Sequence, residues 1–384
     1  MSIPAITSMD CLGSFLFAKK AEEGNMTTIF DRKVEAVRNV LMQNSIEGLL
    51  FTLQKNVSWL TGARSFINSA SEKSIAAILV TSDKVILIVN NIESNRMIEE
   101  EIQGTIDIVE TFPWYEPEKS TNIIQKYTDL LAMKVDLELE NELLQLRLTV
   151  LEEEKDSLFL LGRQTAEAIE QTAFNLAIGD SEFEVASYLA RECLKREIEP
   201  IVNLVAADDR IYQRRHPLPT SKKLQQYALL VVCGRRKGVF VSVSRLVHFG
   251  KLSYELIDLH RSVATIDAKM IAATTSGVHS QELFNVMQDA YQTEGYPDEW
   301  KFHHQGGLSG YHSREQLLLP SDPSFEVKTS QVYAWNPSLA GVKSEDTIFI
   351  EGSSPTIISY TGQFPMIEVN LGNQLWKRPA ILVR

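Results

Sequence analysis

Apolar and polar positions follow two different periods along the chain, and each period predicts one kind of element. The segment DRKVEAVRNVLMQ has the period of a helix, with an apolar face formed by Val34, Val37, Val40 and Leu41. Three apolar runs, GLLFT, SIAAILVT and KVILIVN, predict strands, and a short turn at Ser82-Asp83 joins the last two as a hairpin. IDIVETF predicts another strand and NIIQKYTDLLAM another helix. This alternation indicates a compact α/β domain over about the first 145 residues.

A long, charged segment from Leu146 to Ala177 favours a helix, because it contains no proline and only one glycine, Gly162. Gly179-Asp180 ends this segment, and Ser181 with Glu184 forms a capping box for the helix that follows. The segment therefore predicts a helical connection into a second domain.

The second half of the chain mixes helices with strands that are neighbours in sequence. IVNLVAA, YALLVV, GVFVSVSRLV, QVYAW and DTIFI predict strands, and helices are predicted around Leu256–Ala273 and Glu282–Gln292. Such a mixture favours an α+β domain, with helices packed on an antiparallel or mixed sheet. With 384 residues, the chain is expected to form an N-terminal extension over 1–26, an α/β domain over 27–148 and this α+β domain over 149–384.

Composition and charge exclude several classes of partner. The chain is 44% hydrophobic and 23% charged, and its net charge of −12 disfavours nucleic acid or an anionic membrane as the main partner. No apolar run approaches the roughly 20 residues of a membrane-spanning helix. The start of the chain has no basic stretch before its apolar patch, which is unlike a signal peptide. Cys11, Cys193 and Cys233 form no CxxC pair, so we expect reduced thiols and a cytoplasmic protein.

The segment HHQGGLSGYHSRE holds three of the seven histidines of the chain, together with Arg314 and Glu315. Its imidazoles and carboxylate suit catalysis or ligand binding, but its glycines suit an ordinary polar loop equally well. Adjacent residues of a strand point to opposite faces, so at most one of His303 and His304 is expected to serve a given site.

Three further segments carry candidate chemistry. DDRIYQRRHPLPT places arginines beside His216 in a loop stiffened by prolines, which suits a bound carboxylate or phosphate but also a solvated loop. WNPSLAGVKSEDT places Glu345 and Asp346 at the start of an apolar strand, where they would bind a metal, carry protons or only meet solvent. CGRRKGVFVSVSR ends in Arg245, which could lie at the edge of a cleft. The motifs GxxxxGK[ST], GxGxxG, HExxH and GxSxG are absent, which disfavours nucleotide enzymes, helical zinc peptidases and α/β-hydrolases.

In this order and spacing, the segments resemble the pita-bread family of methionine aminopeptidase, Xaa-Pro aminopeptidase, prolidase and creatinase. VSWLTGARSF is similar to the end of the family's amino-terminal domain, and GDSEFEVASYLAREC to the start of a helix in its second domain. HHQGGLSGYHSRE, WNPSLAG and SEDTIFI fall where the family has its histidine motif, its Glu-Pro-Gly loop and its final Glu-Asp-Thr strand. The resemblance covers nearly everything after the first helix begins. It implies a creatinase-type α/β N-terminal domain followed by an α+β pita-bread domain, as in the Xaa-Pro peptidases and creatinase.

The resemblance also implies where metal ligands would lie. The family's metallopeptidases hold two divalent ions through two Asp, one His and two Glu. Matched to those motifs, the ligand positions of this chain carry Val232, Ser242, His303, Asn336 and Glu345. Valine cannot ligate, and serine and asparagine are weak neutral ligands. We therefore expect no dinuclear site and no metal cofactor, although a divalent metal such as Mn or Zn remains an alternative.

We expect a metal-independent hydrolase that cleaves a C–N bond in a small amide, peptide or guanidino compound with an anionic group. The resemblance to creatinase implies that this fold can do so with histidine and glutamate as proton carriers. The expected catalytic residues are His216, His303 and Glu345, and the expected substrate-binding residues are Arg215, Arg245, His304, Arg314, Glu315 and Asn336. Two alternatives stay open: a non-catalytic module that binds a ligand or a protein, and an Xaa-Pro peptidase with an unusual metal site. The expected partners are a small molecule or short peptide and, from the resemblance, a second copy of the chain in a homodimer.

Overall fold

Local sequence signals position the first helix of the chain. In the computed structural model, which describes residues 27–321 and 324–384, Thr28 and Asp31 form a capping box at the start of helix α1 (Ile29–Asn44). The predicted apolar face of α1 is buried. The predicted N-terminal extension and Cys11 lie outside the described residues.

The rest of the first domain is a five-stranded mixed sheet with its helices. Its elements after α1 are β1 (Gly48–Leu53), α2 (Gln54–Thr61), β2 (Lys73–Thr81), β3 (Val85–Asn90), α3 (Ser94–Arg96) with a π-helical turn (Met97–Glu101), β4 (Ile108–Phe112), α4 (Lys119–Ile124), β5 (Met133–Val135) and α5 (Glu140–Arg147). The strand order is β4-β3-β2-β1-β5, and β2 with β3 forms the predicted hairpin. The predicted helix NIIQKYTDLLAM is wrong in extent, because α4 ends at Ile124 and the chain then turns towards β5.

The second domain combines long helices with two larger sheets. Its elements are α6 (Glu152–Asn175), α7 (Glu182–Leu194), β6 (Glu199–Ala207), α8 (Asp209–Gln213), β7 (Tyr227–Arg236), β8 (Val239–His248), α9 (Tyr254–Ala273), α10 (Ser280–Thr293), a 3-10 turn (Glu299–Phe302), β9 (Gly306–Ser309), β10 (Gln316–Leu317), β11 (Val332–Trp335), β12 (Ser338–Leu339), β13 (Val342–Lys343), β14 (Asp346–Glu351), β15 (Ser354–Ile357), β16 (Met366–Leu371), β17 (Gln374–Pro379) and β18 (Ile381–Val383). The larger sheets have the orders β18-β8-β7-β6 and β10-β9-β11-β14-β15. The pairs β12-β13 and β16-β17 form small hairpins.

Strand β7 is buried on both of its faces. Leu229 and Val231 point into a core that contains residues of α9 and α10. Leu230 and Val232 point into a second core that contains residues of α6 and α7. Burial on both faces explains why YALLVV is a continuous apolar run, and the predicted α+β arrangement is confirmed.

The predicted helical connection between the domains is interrupted. Helix α5 ends at Arg147 and α6 begins at Glu152, and between them the N–H of Val150 donates to the Ser330 carbonyl at 2.9 Å. The capping box of Ser181 at the start of α7 is confirmed. None of the helices in the described part of the chain is long and apolar enough to cross a lipid bilayer.

Candidate functional site

Three histidine rings meet where two loops of the second domain come together. His216 follows α8, and His303 and His304 lie between the 3-10 turn and β9. The Nε2 atoms of His216 and His303 are 3.0 Å apart, and the rings of His303 and His304 stack with their centroids 4.6 Å apart. One nitrogen from each ring lies within 4.8 Å of the other two. The sequence-predicted histidines therefore form one cluster.

The expectation that only one of His303 and His304 faces the site is wrong. Neither residue is in a strand, since β9 begins after them, so the alternation of strand side chains does not apply. Gln305 holds this stretch in place. Its side chain accepts a hydrogen bond from the Tyr291 hydroxyl at 2.7 Å, and its carbonyl accepts one from the Asn336 N–H at 3.0 Å. Both histidine rings are thereby kept in the same cluster.

The histidine cluster lines a cleft of about 440 Å³. Arg215 also lines it, and its guanidinium pairs with the Glu299 carboxylate and donates to the Ser338 hydroxyl at 3.1 Å. The rest of the wall is mostly apolar and includes Phe284, Met287, Trp300, Phe302, Leu318, Leu319 and Pro320. A cleft with one polar end and apolar walls suits a small ligand that carries both kinds of group.

The three rings are held in their neutral form. Burial is the largest cause, and it lowers the pKa of His304 to about 4 and the pKa of His303 well below its usual range. The pKa of His216 is lowered as well, first by desolvation and then by the charge of Lys343. Near pH 7 each imidazole therefore keeps one unprotonated nitrogen.

Glu345 belongs to a buried group of charges, here called the Glu345 cluster, which consists of Glu345, Arg314, Lys343 and Ser244. The carboxylate accepts hydrogen bonds from the Ser244 hydroxyl and from the Arg314 guanidinium at 3.1 Å, and its distance to the Lys343 ammonium is 3.3 Å. Burial alone would raise the pKa of Glu345, but Lys343 and Arg314 outweigh burial and lower that pKa. The cluster thus holds two cations and one ionised carboxylate.

Strand β7 presents Cys233, and not Val232, to the Glu345 cluster. Cys233 lies opposite Ser242 of β8, whose hydroxyl donates to the Cys233 sulfur at 3.1 Å and accepts from the Arg314 guanidinium at 3.1 Å. Val232 points to the opposite face of the sheet, into the core with α6 and α7. The match of the family's first aspartate to Val232 is therefore wrong, although the residue that faces the cluster is again not a carboxylate.

Three predicted substrate-binding residues lie in the interior and not along the cleft. Arg245 is 3% exposed, and its guanidinium pairs with the Glu170 carboxylate at 3.0 Å. Glu315 pairs with Arg147 of the first domain at 3.1 Å and so joins the two domains. Asn336 is buried beside the histidine stretch and contacts it through its backbone. The structure assigns these residues structural contacts that the sequence did not indicate.

Lys343 was missed by the reasoning from sequence. It is 5% exposed and stands two residues before Glu345, and side chains two residues apart on an extended chain share a face. The spacing between this lysine and the candidate carboxylate would have predicted that the two side chains lie together.

The sequence of the chain matches two known domain families. Residues 33–147 match the Creatinase/Prolidase N-terminal domain, and residues 160–352, half of the chain, match metallopeptidase family M24. The chain belongs to metallopeptidase family M24. The predicted pita-bread relationship and the two-domain architecture are thereby confirmed, while a search of curated proteins finds no match.

Several solved structures share the fold of this M24 protein. The prolidase from Pyrococcus horikoshii OT3 is 18% identical with a TM-score of 0.71, over 86% of this chain and 98% of its own. The Xaa-Pro dipeptidase from Bacillus anthracis is 16% identical with a TM-score of 0.70, over 92% of this chain and 100% of its own. The N-terminal domain of FACT complex subunit SPT16 from Eremothecium gossypii is 13% identical with a TM-score of 0.63, over 87% of this chain and 96% of its own. At these identities the likeness shows the fold alone.

Proposed function

We propose that this M24 protein hydrolyses a C–N bond in a small anionic amide, peptide or guanidino compound, and that it does so without the dinuclear metal centre of its family. The observation that carries the proposal is the contact between His216 and His303, whose Nε2 atoms are 3.0 Å apart at the wall of the cleft. A neutral imidazole held by a second one is suited to take a proton from water.

The residues at the family's ligand positions do not fit two divalent ions. Cys233 and Ser242 stand on the strands that carry aspartates in the family, and Asn336 stands in place of a glutamate. Glu345 is a carboxylate, but it is already bonded to two cationic side chains of its cluster. Ions of this kind are usually held by several oxygen anions, whereas here they would meet one anion and two fixed cations. Arg314 and Lys343 supply positive charge beside Glu345, as the metal ions would.

His216 is the proposed base, because it is the exposed member of the histidine pair and so meets water. Its neutral ring takes a proton from a water molecule, and the hydroxide so formed attacks the carbon of the C–N bond. The imidazolium then returns the proton to the departing nitrogen as the C–N bond breaks. The excess of positive charge in the Glu345 cluster favours a substrate with an anionic group.

Chelation combined with one substitution tests this proposal. Chelator-treated protein would be screened against N-acyl amino acids, dipeptides and guanidino acids, with the released amine, ammonia or urea as the readout. We expect turnover to persist without metal, and His216→Gln to lower kcat by about 10²- to 10⁴-fold. His279→Gln is the matched control, since His279 is an exposed histidine at the start of α10 that makes no side-chain cap, and it should keep full activity. Turnover that appears only after Mn or Zn is added back would contradict the proposal.

A non-catalytic binding module is the second candidate, and the surroundings of Glu345 favour it. The carboxylate is 1% exposed and is bonded to Ser244, Arg314 and Lys343, so it is poorly placed to orient a catalytic water. For this candidate we expect calorimetry to detect a small anion that binds in the cleft and is recovered unchanged. Binding that His216→Gln abolishes, with no product from any compound of the screen, would support the module over the hydrolase.

Assembly and location are further predictions. We expect a cytoplasmic homodimer on the basis of the family resemblance and the composition. Light scattering that gives the mass of a single chain would contradict the dimer.

A further inference from the structure

The imidazoles of the cleft have the arrangement of a mononuclear metal site. We propose that His216, His303 and His304 bind one transition-metal ion such as Zn²⁺, and that this ion blocks the cleft. The inference goes beyond the proposed hydrolysis, which uses the metal-free rings. It also differs from the carboxylate-rich dinuclear centre of the family, because two of its three ligands lie outside that centre.

Two of the rings have a nitrogen in need of a partner. Among the described residues, the Nδ1 atoms of His303 and His304 are buried and have no hydrogen-bond partner. Buried polar atoms in folded proteins are nearly always bonded, so the unpaired Nδ1 of His304 points to a bound species, which His303 would meet through the Nε2 atom that faces His216.

The distances are close to those around a coordinated ion. Zn–N bonds of about 2.0–2.1 Å place two nitrogens of one tetrahedral ion roughly 3.4 Å apart. The Nε2 atoms of His216 and His303 are 3.0 Å apart, and nitrogens from all three rings lie within 4.8 Å of one another. His216 is exposed, so its ring has room to adjust to an ion.

The chemistry of the ligands selects the class of ion. Neutral imidazoles suit Zn²⁺, Co²⁺, Ni²⁺ and Cu²⁺, whereas Mg²⁺ and Ca²⁺ need oxygen ligands that the three rings do not provide. The positive charge of Lys343, which acts on His303, strengthens this selection, because only an ion with high affinity for nitrogen overcomes the repulsion.

Ion binding and the proposed base catalysis exclude one another. The lone pair with which His216 would take a proton from water is the lone pair that it would donate to an ion. An ion at the cluster therefore removes the base and fills the polar end of the cleft.

Titration with Co²⁺ and Zn²⁺ tests the site without any substrate. Chelator-treated full-length protein would be titrated with Co²⁺, whose visible absorption reports coordination by nitrogen, and Zn²⁺ would be followed by equilibrium dialysis. We expect one equivalent per chain, no competition from excess Mg²⁺, and binding at least about tenfold weaker in His216→Gln and in His304→Gln. His279→Gln, which removes an exposed histidine elsewhere, should bind like the wild type.

Several results would overturn the inference. One is an affinity for the ion that is unchanged in both His216→Gln and His304→Gln. The others are the binding of two equivalents of the ion per chain, and the absence of binding by protein that thermal unfolding shows to be folded. The titration measures binding alone, so failure of the proposed hydrolysis leaves the site standing. Where turnover is found, one equivalent of Zn²⁺ should abolish it, and turnover that Zn²⁺ stimulates would refute the blocking role.

Discussion

Replacing Glu345 by glutamine should destabilise the second domain far more than replacing its neighbour Lys343 by methionine. Glu345→Gln removes the anion of the Glu345 cluster and leaves Arg314 and Lys343 buried together without a counter-charge. Lys343→Met removes one cation and leaves the pair of Arg314 and Glu345, together with the hydrogen bond from Ser244. The two variants therefore change the same contact with opposite effects on charge balance.

The distances in the cluster give the size of the effect. Unit charges at 3.1 and 3.3 Å attract each other by about 5 kcal/mol per pair at an effective dielectric constant of roughly 20. Desolvation offsets much of this attraction, and breaking a buried pair by removing one partner costs about 3–5 kcal/mol. We expect Glu345→Gln to fall in that range. Lys343→Met should cost at most about 1.5 kcal/mol, since the volume is similar and one ion pair remains.

Urea unfolding followed by tryptophan fluorescence measures both costs. The pKa of Glu345 is lowered from its ordinary value of 4.5, so the stabilisation by its charge is complete above pH 4.5 and is lost as the pH falls below it. The difference between the wild type and Glu345→Gln should thus be full at pH 7 and shrink in acid. Equal costs for Glu345→Gln and Lys343→Met, or a difference that does not change between neutral and acidic pH, would refute the reasoning.

Three further substitutions test other parts of the structure. Gly162→Ala should lower the melting temperature, with a cost of about 1–3 kcal/mol, because its Cβ would lie 2.5 Å from the carbonyl oxygen of Ile358; an unchanged melting temperature would contradict this packing. His260→Gln should reduce the loss of stability that occurs as the pH falls from 6.5 to 4. Burial lowers the pKa of His260 to about 4, so the unfolded chain takes up this proton at a higher pH than the folded chain does. Curves of stability against pH that run parallel for the variant and the wild type would argue against this. Lys33→Met should speed limited proteolysis between the domains, because the buried ammonium of Lys33 joins α1 to Glu154 at the start of α6; unchanged cleavage would show that this pair does not hold the domains together.

The sequence predicted those features whose determinants lie within a few residues of each other. The capping box of Ser181 and Glu184 spans one helical turn, and it is present as predicted. Five strands of the second domain, β6, β7, β8, β11 and β14, were predicted from their apolar runs, because strands buried on both faces need apolar side chains at successive positions. The shorter strands and those after β14 were not predicted, because they lack such runs. The break between α5 and α6 was missed, because it depends on the contact of Val150 with the distant Ser330.

The candidate site was predicted in part for the same reason. The family motifs drew attention to His216, His303 and Glu345, but the contact of Arg314 with Glu345 depends on the pairing of strands β9, β11 and β14, which brings distant segments together. The shared orientation of His303 and His304 also depends on tertiary contacts. A strand pattern carries no information about either arrangement, and only the position of Lys343 beside Glu345 could have been inferred from the spacing.

The two cations of the Glu345 cluster are covalent parts of the chain, and this has a consequence for the protein in a cell. A metal-dependent peptidase acquires its positive charge after synthesis, loses it when the metal is scarce, and can exchange one ion for another. Arg314 and Lys343 are supplied by translation in every copy of the chain. The positive charge of these two side chains is therefore independent of metal supply.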